Sequence, residues 1–388
     1  MRIPIKYNFL SILVRKVSTT MTVLSIALVI FIFVSVMALA NGLETALVST
    51  GEPLNVLVMR RGSGSELSSA VSHDALQVLK YLPGIHAGSN GEPEVSPEVF
   101  VIINLPKGAD GEVANVALRG VSPAGIVMRP QWHLVEGRMF QAGLPEIVVS
   151  RMISNRFPHA KLGDQIRLGK AEWKVAGIFE AGHTAFDSEI WADVNQVSTA
   201  FNYSAYSSVL LRANDRSATK EIVSRIESDR SNDLMAQPES EYYEAQAWGA
   251  TPIKLMGMFI AVLMGIGACF AAMNAMYAAV TYRTREIATL RVMGFKRRNI
   301  LLSFLMESLL VALTGGVLGC LLALPINLLT TGTTNLQTFS EVAFAFRTSP
   351  GLLLMGMLFA LLIGLFGGFF PARQAARQTP AMALRKAL

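Results

Sequence analysis

The side chains that most often carry chemistry are few and widely spaced in this sequence. Its five histidines all lie between positions 73 and 183, without the short spacings that a zinc site needs. There is no H-E-x-x-H or C-x-x-C motif, and no serine has the surroundings of a nucleophile elbow. The phosphate-binding motif G-x-x-x-x-G-K-[ST] is also absent. We therefore expect a non-catalytic chain that binds no metal and no cofactor of its own.

One stretch does combine many charges with a regular apolar pattern: residues 282–299, with the sequence YRTREIATLRVMGFKRRN. Ile287, Leu290 and Gly294 fall on one face of a helix, at positions i, i+3 and i+7. Gly294 is expected to end that helix, where the nearby cations meet the negative end of the helix dipole. The apolar edge predicts a partner surface, because a loop this short cannot fold over itself. The charged side chains are Arg283, Arg285, Glu286, Arg291, Lys296, Arg297 and Arg298.

Long apolar runs flank this basic stretch on both sides. Residues 253–280 and 300–329 are each long enough to cross a bilayer, for which a helix needs about 20 apolar residues. Two further runs, 21–40 and 352–370, have the same property. The composition agrees, with 52% hydrophobic and only 16% charged residues and a mean hydropathy of +0.41. The sequence therefore predicts a membrane protein with four transmembrane helices.

Positive charge is concentrated in three segments next to these runs. Residues 1–20 and 371–388 each carry four cations and no acid, and residues 282–299 carry six cations and one acid. These segments together have a net charge of +13, and because the whole chain is +6, the remainder is −7. Lysine and arginine are retained on the cytoplasmic side of membranes. We therefore expect both termini and the basic stretch to be cytoplasmic, in the cytoplasmic (inner) membrane of a bacterium, with no nucleic-acid partner.

The start of the chain admits two interpretations. Residues 5–18 have the pattern of an amphipathic helix that rests in the headgroup layer and leads into the first span. The sequence Ala38-Leu39-Ala40 resembles the cleavage site of a secretory signal. We favour a span, because the apolar run is too long for a signal and the helical pattern continues through residues 42–48.

Between the first two spans lies a polar segment, residues 42–252, which is long enough for one or two domains. Short apolar runs in it predict strands, and Pro-Gly, Asn-Gly and Asp-Gly pairs mark turns between them. We expect a mixed α+β domain outside the membrane. The strand-like segments are 54–59, 99–105, 115–119, 146–149, 165–168, 172–179 and 208–212, and the helical segments are 73–81, 193–201 and 218–228.

The expected fold is an α-helical membrane protein with four transmembrane helices and an extracytoplasmic α+β domain inserted between helices 1 and 2. In chain order we expect an amphipathic cytoplasmic helix, the first span with its stalk, the α+β domain, a stalk with the second span, a cytoplasmic hairpin, the third span, an outer loop, the fourth span and a cytoplasmic tail. The corresponding residues are 1–20, 21–47, 48–240, 241–281, 282–299, 300–329, 330–349, 350–371 and 372–388.

The expected spans contain two polar residues and two small-residue motifs. Asn274 is expected to form a hydrogen bond between helices. Glu307 lies near the cytoplasmic end of the third span and is expected to snorkel or to pair with an arginine of the basic stretch. Because the spans are otherwise nearly uncharged, energy for transport has to come from a partner. The motifs that let helices approach closely are Gly315 with Gly319 and Gly364 with Gly368.

Several motifs resemble the permease subunits of type VII, or mechanotransmission, ABC transporters, which include MacB-, FtsX- and LolC-like permeases. From Arg283 to Ile300 the chain has R-T-R-E-I, L-R, M-G and R-R-N-I in the order of the family's basic hairpin. Glu307 stands where the family has an acid after that hairpin. The tail P-A-R-Q-A-A-R, beginning at Pro371, is similar to the family's tail, and L-G-D-Q-I at Leu162 is similar to a strand of its outer domain.

The resemblance implies two copies of a cytoplasmic ABC ATPase, which would hold ATP and Mg²⁺, and a second copy of this chain or a related permease. It implies that the basic stretch docks on the ATPase as a coupling helix, with apolar side chains in a groove and cations on its rim. A periplasmic adaptor, an outer-membrane channel and the lipid bilayer are further implied partners. The chain would then export or extract a lipoprotein, lipid, peptide or drug. The expected groove contacts are Ile287, Leu290, Met293 and Phe295.

Two other functions fit the same sequence. The chain could regulate a cell-wall hydrolase or a sensor kinase across the membrane, driven by the ATPase without transport. It could also be a four-span structural protein without an ATPase, whose basic stretch only fixes its topology. The proteins that co-purify with it would separate these functions.

Overall fold

The structure, a computed structural model, contains among its described residues four helices that are long and apolar enough to cross a membrane, as predicted. The expected amphipathic helix at residues 5–18 lies almost entirely outside the described part of the chain, as does the end of the expected cytoplasmic tail. The candidate spans lie within the helical segments Lys16–Val48, Glu239–Tyr282, Arg297–Leu328 and Pro350–Arg377. The described residues are 16–89, 91–107, 113–229, 232–335 and 337–378.

The chain folds as two compact units, a helical bundle and an inserted domain. The first span is one unbroken helix to Val48, which confirms the expected helical continuation through residues 42–48. The bundle comprises Met1–Asn41, Thr251–Leu329 and Phe346–Leu388, as far as these are described. Its helices are span 1 (Lys16–Val48), span 2 (Ala250–Tyr282), a hairpin helix (Thr284–Val292), span 3 (Arg297–Ala323) and span 4 (Pro350–Arg377).

Glycines lie at the closest contacts between the spans. A Cβ at Gly315 or Gly319 would lie 2.9 or 2.6 Å from atoms of span 1. A Cβ at Gly364 or Gly368 would lie 2.4 Å from side chains of span 3. Both Gly-x-x-x-Gly motifs are therefore occupied by contacts within the chain, where the missing side chains let the helices approach.

The inserted domain, Gly42–Ala250 with Thr330–Ala345, is built on a mixed sheet of ten strands among the residues described. Its strands are β1 (Asn55–Arg60), β2 (Val95–Pro106), β3 (Val113–Val121), β4 (His133–Gly137), β5 (Glu146–Ser150), β6 (Gln165–Leu168), β7 (Ala171–Glu180), β8 (Glu189–Asp193), β9 (Ser208–Arg212) and β10 (Leu234–Pro238). Their order is β10-β1-β9-β2-β3-β8-β5-β7-β4, with β6 on β7. The pairs β3–β8 and β5–β7 are parallel, and the others are antiparallel.

Short helices pack on this sheet and begin at defined caps. The Ser72 hydroxyl accepts the Ala75 N–H (3.1 Å) at the start of the first helix. The Asp215 carboxylate accepts the N–H groups of Ser217 and Ala218, so the fifth helix begins two residues before the predicted start. These helices are α1 (His73–Lys80), α2 (Pro123–Val127), α3 (Arg151–Arg156), α4 (Val194–Phe201), α5 (Arg216–Ser228) and α6 (Glu239–Ala247).

Charged side chains are fully buried at the centre of this domain. The Arg119 guanidinium lies 2.8 Å from Glu66, 2.9 Å from Glu98 and 2.8 Å from Glu189. Arg129 lies 2.7 Å from Glu98. These groups are at most 7% exposed, and burying an unpaired charge costs several kcal/mol. The network therefore fixes the register of β2, β3 and β8 around Arg119, since a shift of any strand would leave a charge unpaired.

The segment between spans 3 and 4 forms a β-hairpin that belongs to the inserted domain. Its strands are β11 (Thr330–Thr334) and β12 (Glu341–Ala345). The Ser188 hydroxyl accepts the Ala343 N–H (2.7 Å) and donates to the Ala343 carbonyl (3.2 Å). Glu341 pairs with Arg156 and, at 3.5 Å, with Lys107. The sequence predicted only an outer loop here. The two strands were not predicted because each has only five residues and the first, with the sequence TTGTT, has no apolar alternation.

All seven predicted strands and three predicted helices of the inserted domain are confirmed, with bounds that differ by a few residues. The strands β4, β8 and β10 were not predicted. Each has only five residues, and charged residues or proline stand at their ends, which weakens the apolar pattern. β8 is nevertheless buried throughout, because the Glu189 carboxylate is satisfied by Arg119.

Candidate functional site

The basic stretch folds as a helical hairpin tip with a fixed backbone. The hairpin helix Thr284–Val292 follows span 2 directly. Gly294 has φ +93°, a left-handed conformation that glycine adopts at low cost. The Phe295 N–H donates to the Leu290 carbonyl (3.1 Å) and the Gly294 N–H to the Arg291 carbonyl (3.2 Å), the two bonds of a Schellman cap. The prediction that Gly294 ends this helix is confirmed.

A buried ion pair joins the start of the hairpin helix to span 3. Arg283 Nη1 lies 3.0 Å from Glu307 Oε2, and the two side chains are 7% and 6% exposed. Arg283 Nε also lies 4.0 Å from Glu286. The sequence expectation that Glu307 pairs with an arginine of the basic stretch is confirmed. Removing one partner of such a pair costs about 3–5 kcal/mol, so this contact holds the hairpin against span 3.

Ile287 faces into the bundle and not outward. Its side chain is 1% exposed and packs with Ile300 and Phe304 of span 3 and with Ala372 of span 4. The expectation that this apolar edge requires a partner surface is therefore wrong for Ile287. The hairpin helix lies back on the ends of the spans and covers the edge itself. Leu290 is half-buried at the same place, beside a small cavity that Ile300 also lines.

The outward face of the hairpin carries two apolar side chains among cations. Val292 is 68% exposed and Met293 is 58% exposed. Three cations at positions 296–298 stand at the start of span 3, at the positive end of its dipole, where cations are unfavourable. Helix stability therefore does not account for them. The exposed cations are Arg285, Lys296, Arg297 and Arg298.

Two of the expected contact residues are used inside the hairpin. Arg291 is half-buried, and its Nη1 donates to the Phe295 carbonyl at 3.0 Å. This bond closes the turn that follows Gly294. Phe295 is itself half-buried. Of the expected contact residues, Met293, Glu286 and the four exposed cations remain accessible to a partner, and the exposed Val292 lies beside Met293. No sequence pattern indicated that Val292 is exposed, because the roll of a nine-residue helix depends on its tertiary contacts.

A second surface lies on the outward face of span 2. Five large apolar side chains there follow alternate steps of three and four residues, the spacing of a helix–helix seam. Asn274, one turn beyond the last of them, is exposed and makes no hydrogen bond to the described part of the chain. The helix–helix bond predicted for Asn274 is therefore not formed with any of the residues that the structure describes. The seam residues, each at least half exposed, are Met256, Phe259, Leu263, Ile266 and Phe270.

The comparisons with known proteins cover almost the whole chain. Residues 19–229 match the model of the MacB-like periplasmic core domain, and residues 246–380 match that of the FtsX-like permease C-terminal region.

Within the described residues, no group of three or more His, Cys, Asp or Glu side chains could hold a metal ion.

Curated relatives are exporters of the MacB type. The macrolide export ATP-binding/permease protein MacB of Brucella melitensis is 26% identical over 94% of this chain and 58% of its own length. MacB 1 of Aeromonas hydrophila is 26% identical over 91% of this chain and 56% of its own. MacB of Bordetella avium is 38% identical over 34% of this chain and 19% of its own. The chain spans less than three fifths of the length of these relatives.

Two solved structures resemble part of the chain. The extracellular domain of the noncanonic ABC-type transporter YknZ from Gram-positive bacteria matches with a TM-score of 0.36 and 16% identity, over 47% of this chain and 99% of that one. The periplasmic region of MacB from Actinobacillus actinomycetemcomitans matches with a TM-score of 0.39 and 13% identity, over 51% of this chain and 94% of that one.

Four helices apolar enough to span a membrane, an inserted α+β domain and a basic hairpin between the second and third of these helices are the architecture of a multi-span membrane protein. The chain belongs to the type VII ABC transporter permeases, with a MacB-like periplasmic core domain and an FtsX-like permease region.

Proposed function

We propose that this permease couples ATP hydrolysis by a separate cytoplasmic ABC ATPase to movement of its inserted domain. The ATPase would bind the ATP and Mg²⁺ and would dock on the basic hairpin. The inserted domain would act on the other side of the cytoplasmic membrane, where it exports a lipoprotein, lipid, peptide or drug or extracts it from the outer leaflet. Both ends of the chain would be cytoplasmic, as the distribution of cations favours.

The observation that carries this proposal is the outward face of the hairpin. Val292 and Met293 are exposed apolar side chains in a segment whose exposed cations are Arg285 and residues 296–298, the composition of a docking surface with an apolar centre and a charged rim. The Schellman cap and the Arg283–Glu307 pair hold the hairpin helix firmly. Because the hairpin is fixed to span 3, a pull on Met293 would move the end of that span as well.

A second copy of this chain, or a related permease, would cover the outward face of span 2. The seam from Met256 to Phe270 has the spacing with which two helices interlock. Asn274 supports this partner, because an amide exposed to lipid lacks a hydrogen-bonding partner and a second helix can supply one.

The test is to purify the protein from native membranes and to identify its partners. We expect an ATPase with a P-loop in the complex. In a reconstituted complex, the combined change Met293→Asp and Arg298→Glu should weaken ATPase binding about 30-fold, the loss expected for one hot spot. Lys220→Glu, which reverses an exposed cation on α5 of the inserted domain, is the control and should leave ATPase binding and stimulation unchanged.

Two outcomes would contradict the proposal. One is full ATPase stimulation in the hairpin variant, which would show that coupling occurs elsewhere. The other is a native complex without any P-loop protein. A cell-wall hydrolase or a sensor kinase in the complex, with no exported substrate, would point to the regulatory function instead.

A further inference from the structure

Very short connections join the β11–β12 hairpin to spans 3 and 4. β11 begins directly after Leu329, the last bundle residue that follows span 3, and residues 346–349 join β12 to span 4. The Phe346 N–H donates to the Leu329 carbonyl at 3.3 Å, and the Thr348 N–H donates to Asn327 Oδ1 at 2.9 Å. Four extended residues reach about 14 Å at most. The connections therefore have little slack, and the β11–β12 hairpin has to follow the ends of both spans.

A buried serine fixes the second strand of this hairpin to the sheet of the inserted domain. The Ser188 side chain bonds both the N–H (2.7 Å) and the carbonyl (3.2 Å) of Ala343, and the residue is 4% exposed. It ends a single 3₁₀ turn directly before β8, which lies between β3 and β5 in the sheet. A buried hydroxyl without a partner is costly, so this contact ties β12 to the middle of the sheet.

A glutamate on β12 makes a second set of contacts with the inserted domain. Glu341 pairs with Arg156 at the end of α3 and, at 3.5 Å, with Lys107. Gly332 leaves room for these contacts, because a Cβ there would overlap the Glu341 carboxylate and would lie 3.0 Å from Arg156 Nη1. The glycine in the middle of β11 is therefore explained by contact with the inserted domain.

The β11–β12 hairpin also touches the segments that continue spans 1 and 2 into the inserted domain. A Cβ at Gly42, in the last turns of span 1, would overlap the Ala345 carbonyl oxygen and would lie 3.1 Å from Phe344 Cδ2. Asn335, just after β11, donates through Nδ2 to Gln246 Oε1 (2.7 Å) on α6, the helix that precedes span 2. All four spans are therefore continuous with segments of the inserted domain that contact one another.

We infer that the β11–β12 hairpin is a tether that passes displacements of spans 3 and 4 into the sheet of the inserted domain, with Ser188 and Glu341 as positioning residues. Spans 1 and 2 provide one path into this domain, and the tether provides another. Because the basic hairpin is fixed to span 3 through Glu307, a pull on it would reach the sheet by both paths. This role in coupling rests on the proposed function, but the tether itself can be tested without an ATPase.

The test is a wedge between spans 3 and 4, followed by hydrogen–deuterium exchange of the full chain in detergent. A Cβ at Gly316 would lie 2.8 Å from that of Ala360, so Gly316→Ala has to displace the two spans. We expect faster amide exchange in residues 185–193, which contain Ser188 and β8. Gly267→Ala, the matched control, adds the same methyl group to span 2, where no described atom outside that helix lies within 4 Å of the new Cβ. It should leave that exchange unchanged.

Two changes to the tether should each abolish the response to the wedge. One inserts four glycines after Leu329 and four after Ala345, which adds slack of up to about 14 Å on each side and keeps both anchoring side chains. The other combines Ser188→Ala with Glu341→Gln and removes the anchors. A merely stabilising role predicts no effect of the insertions, because the anchored contacts are unchanged. Gln337→Ala, at an exposed position of the hairpin turn, should keep the parent's response.

Two results would overturn the inference. Unchanged exchange in Gly316→Ala would show that spans 3 and 4 are not linked to the sheet. A response that persists in the glycine-inserted chain would show that spans 1 and 2 alone carry the displacement. If Gly316→Ala fails to fold, Gly364→Ala supplies a second wedge, because a Cβ there would overlap that of Ala312 on span 3.

The reconstituted complex separates this inference from the proposed function. With its ATPase, the glycine-inserted chain should keep ATPase binding and lose the nucleotide-dependent change of exchange in residues 185–193. The wedge experiment needs no ATPase, so a parent chain that binds none would refute the proposed function and not the tether.

Discussion

Two glutamates buried in the inserted domain have opposite pKa shifts because their neighbours differ. Burial raises the pKa of Glu98, but the guanidinium groups of Arg129 and Arg119 outweigh burial and lower it below its usual value. Burial also raises the pKa of Glu239, and there the more distant Arg129 and a hydrogen bond from Asn55 (2.8 Å) do not compensate. Glu98 is thus a structural anion, whereas Glu239 is a carboxyl group that folding pushes toward its neutral form.

This contrast predicts unequal effects of the same isosteric change. Glu98→Gln should destabilise the protein by about 3–5 kcal/mol, because Arg129 then loses its buried carboxylate partner. The melting temperature should fall by roughly 10 °C. Glu239→Gln, the matched control, should change stability by less than about 1 kcal/mol, since the amide oxygen can still accept from Asn55. Thermal unfolding of the full chain in detergent, followed by tryptophan fluorescence, measures both. Similar losses in the two variants would contradict this assignment.

The same two residues predict the pH dependence of stability. The pKa of Glu98 is lowered by folding, so its contribution is present above the unfolded pKa and is lost as the pH falls below about 4. The pKa of Glu239 is raised, so its contribution is present at low pH and is lost as the pH rises through its folded pKa. Melting temperatures from pH 3 to pH 8 should therefore show a weaker acid decline in Glu98→Gln. In Glu239→Gln, the fall in melting temperature as the pH rises should be weaker than in the parent. Parallel curves for parent and variants would rule this out.

The pair of Arg283 and Glu307 predicts a charge-swap rescue. Arg283→Glu or Glu307→Arg alone leaves two like charges in a buried site, and each should loosen the hairpin and reduce ATPase stimulation strongly. The double swap restores opposite charges at the same place and should recover most of the stimulation. A single variant with full stimulation would show that this pair is not needed to position the hairpin. A double swap that recovers assembly without stimulation would show that pairing of opposite charges at this place is not enough to position the hairpin for coupling.

At the residue scale, the sequence predicted which side chains pair better than it predicted which way a side chain faces. An acid near the cytoplasmic end of a span, next to an arginine-rich loop, has few alternatives to pairing, and Glu307 is paired. The inward roll of Ile287 was not predictable, because it follows from contacts with spans 3 and 4 that are remote in the chain. The buried network around Arg119 was missed for the same reason. A charged residue within a strand, such as Glu98 in β2, was its only signal.

Among the helices, span 2 has a large apolar face that its own bundle leaves uncovered and that a partner would bury. One of its faces packs on the bundle through small residues, such as Ala261 and Ala268, which are at most 5% exposed. The opposite face carries the seam, in which Phe259 and Ile266 are at least half exposed. A long apolar helix whose larger side chains face away from its own bundle is suited to pack on a second copy.

The seam predicts a cross-link. In a chain whose two cysteines are replaced by serine, Phe259→Cys should form disulfide-linked dimers in membranes. Leu321→Cys, on an exposed position of span 3, should not. Asn274→Ala should lower the dimer equilibrium about threefold, the value of an interhelical hydrogen bond of about 0.6 kcal/mol. Cross-linking at both positions alike would indicate random collision, and none at Phe259 would exclude this face.

Elements with a strong local pattern were predictable, and elements that depend on distant partners were not. The Schellman cap at Gly294 follows from a glycine between a helix and a basic turn. The short hairpin of β11 and β12 has an unremarkable sequence, and its place in the inserted domain comes from Ser188 and from the Glu341 ion pairs. No local pattern around residues 330–345 contains that information.

At the scale of the whole molecule, the proposed topology depends on where the cations lie in the sequence and on the order of the spans. The excess of cations lies in three segments that four spans would place on one side of a membrane, with the inserted domain on the other. Force can pass from a cytoplasmic ATPase to the inserted domain only if the basic hairpin and that domain are on opposite sides. Sidedness is therefore the property on which the proposed function depends most directly.

Labelling of single cysteines tests this sidedness. In a chain with Cys269 and Cys320 replaced by serine, Lys220→Cys on α5 should react with a membrane-impermeant maleimide in intact bacterial spheroplasts. Arg298→Cys in the hairpin should react only after the cells are broken, because the proposed topology places it in the cytoplasm. Both positions are exposed, so a lack of reaction reports the membrane barrier and not burial. Labelling of both positions in intact spheroplasts would put the hairpin and the inserted domain on the same side, and no cytoplasmic ATPase could then drive the domain through the hairpin.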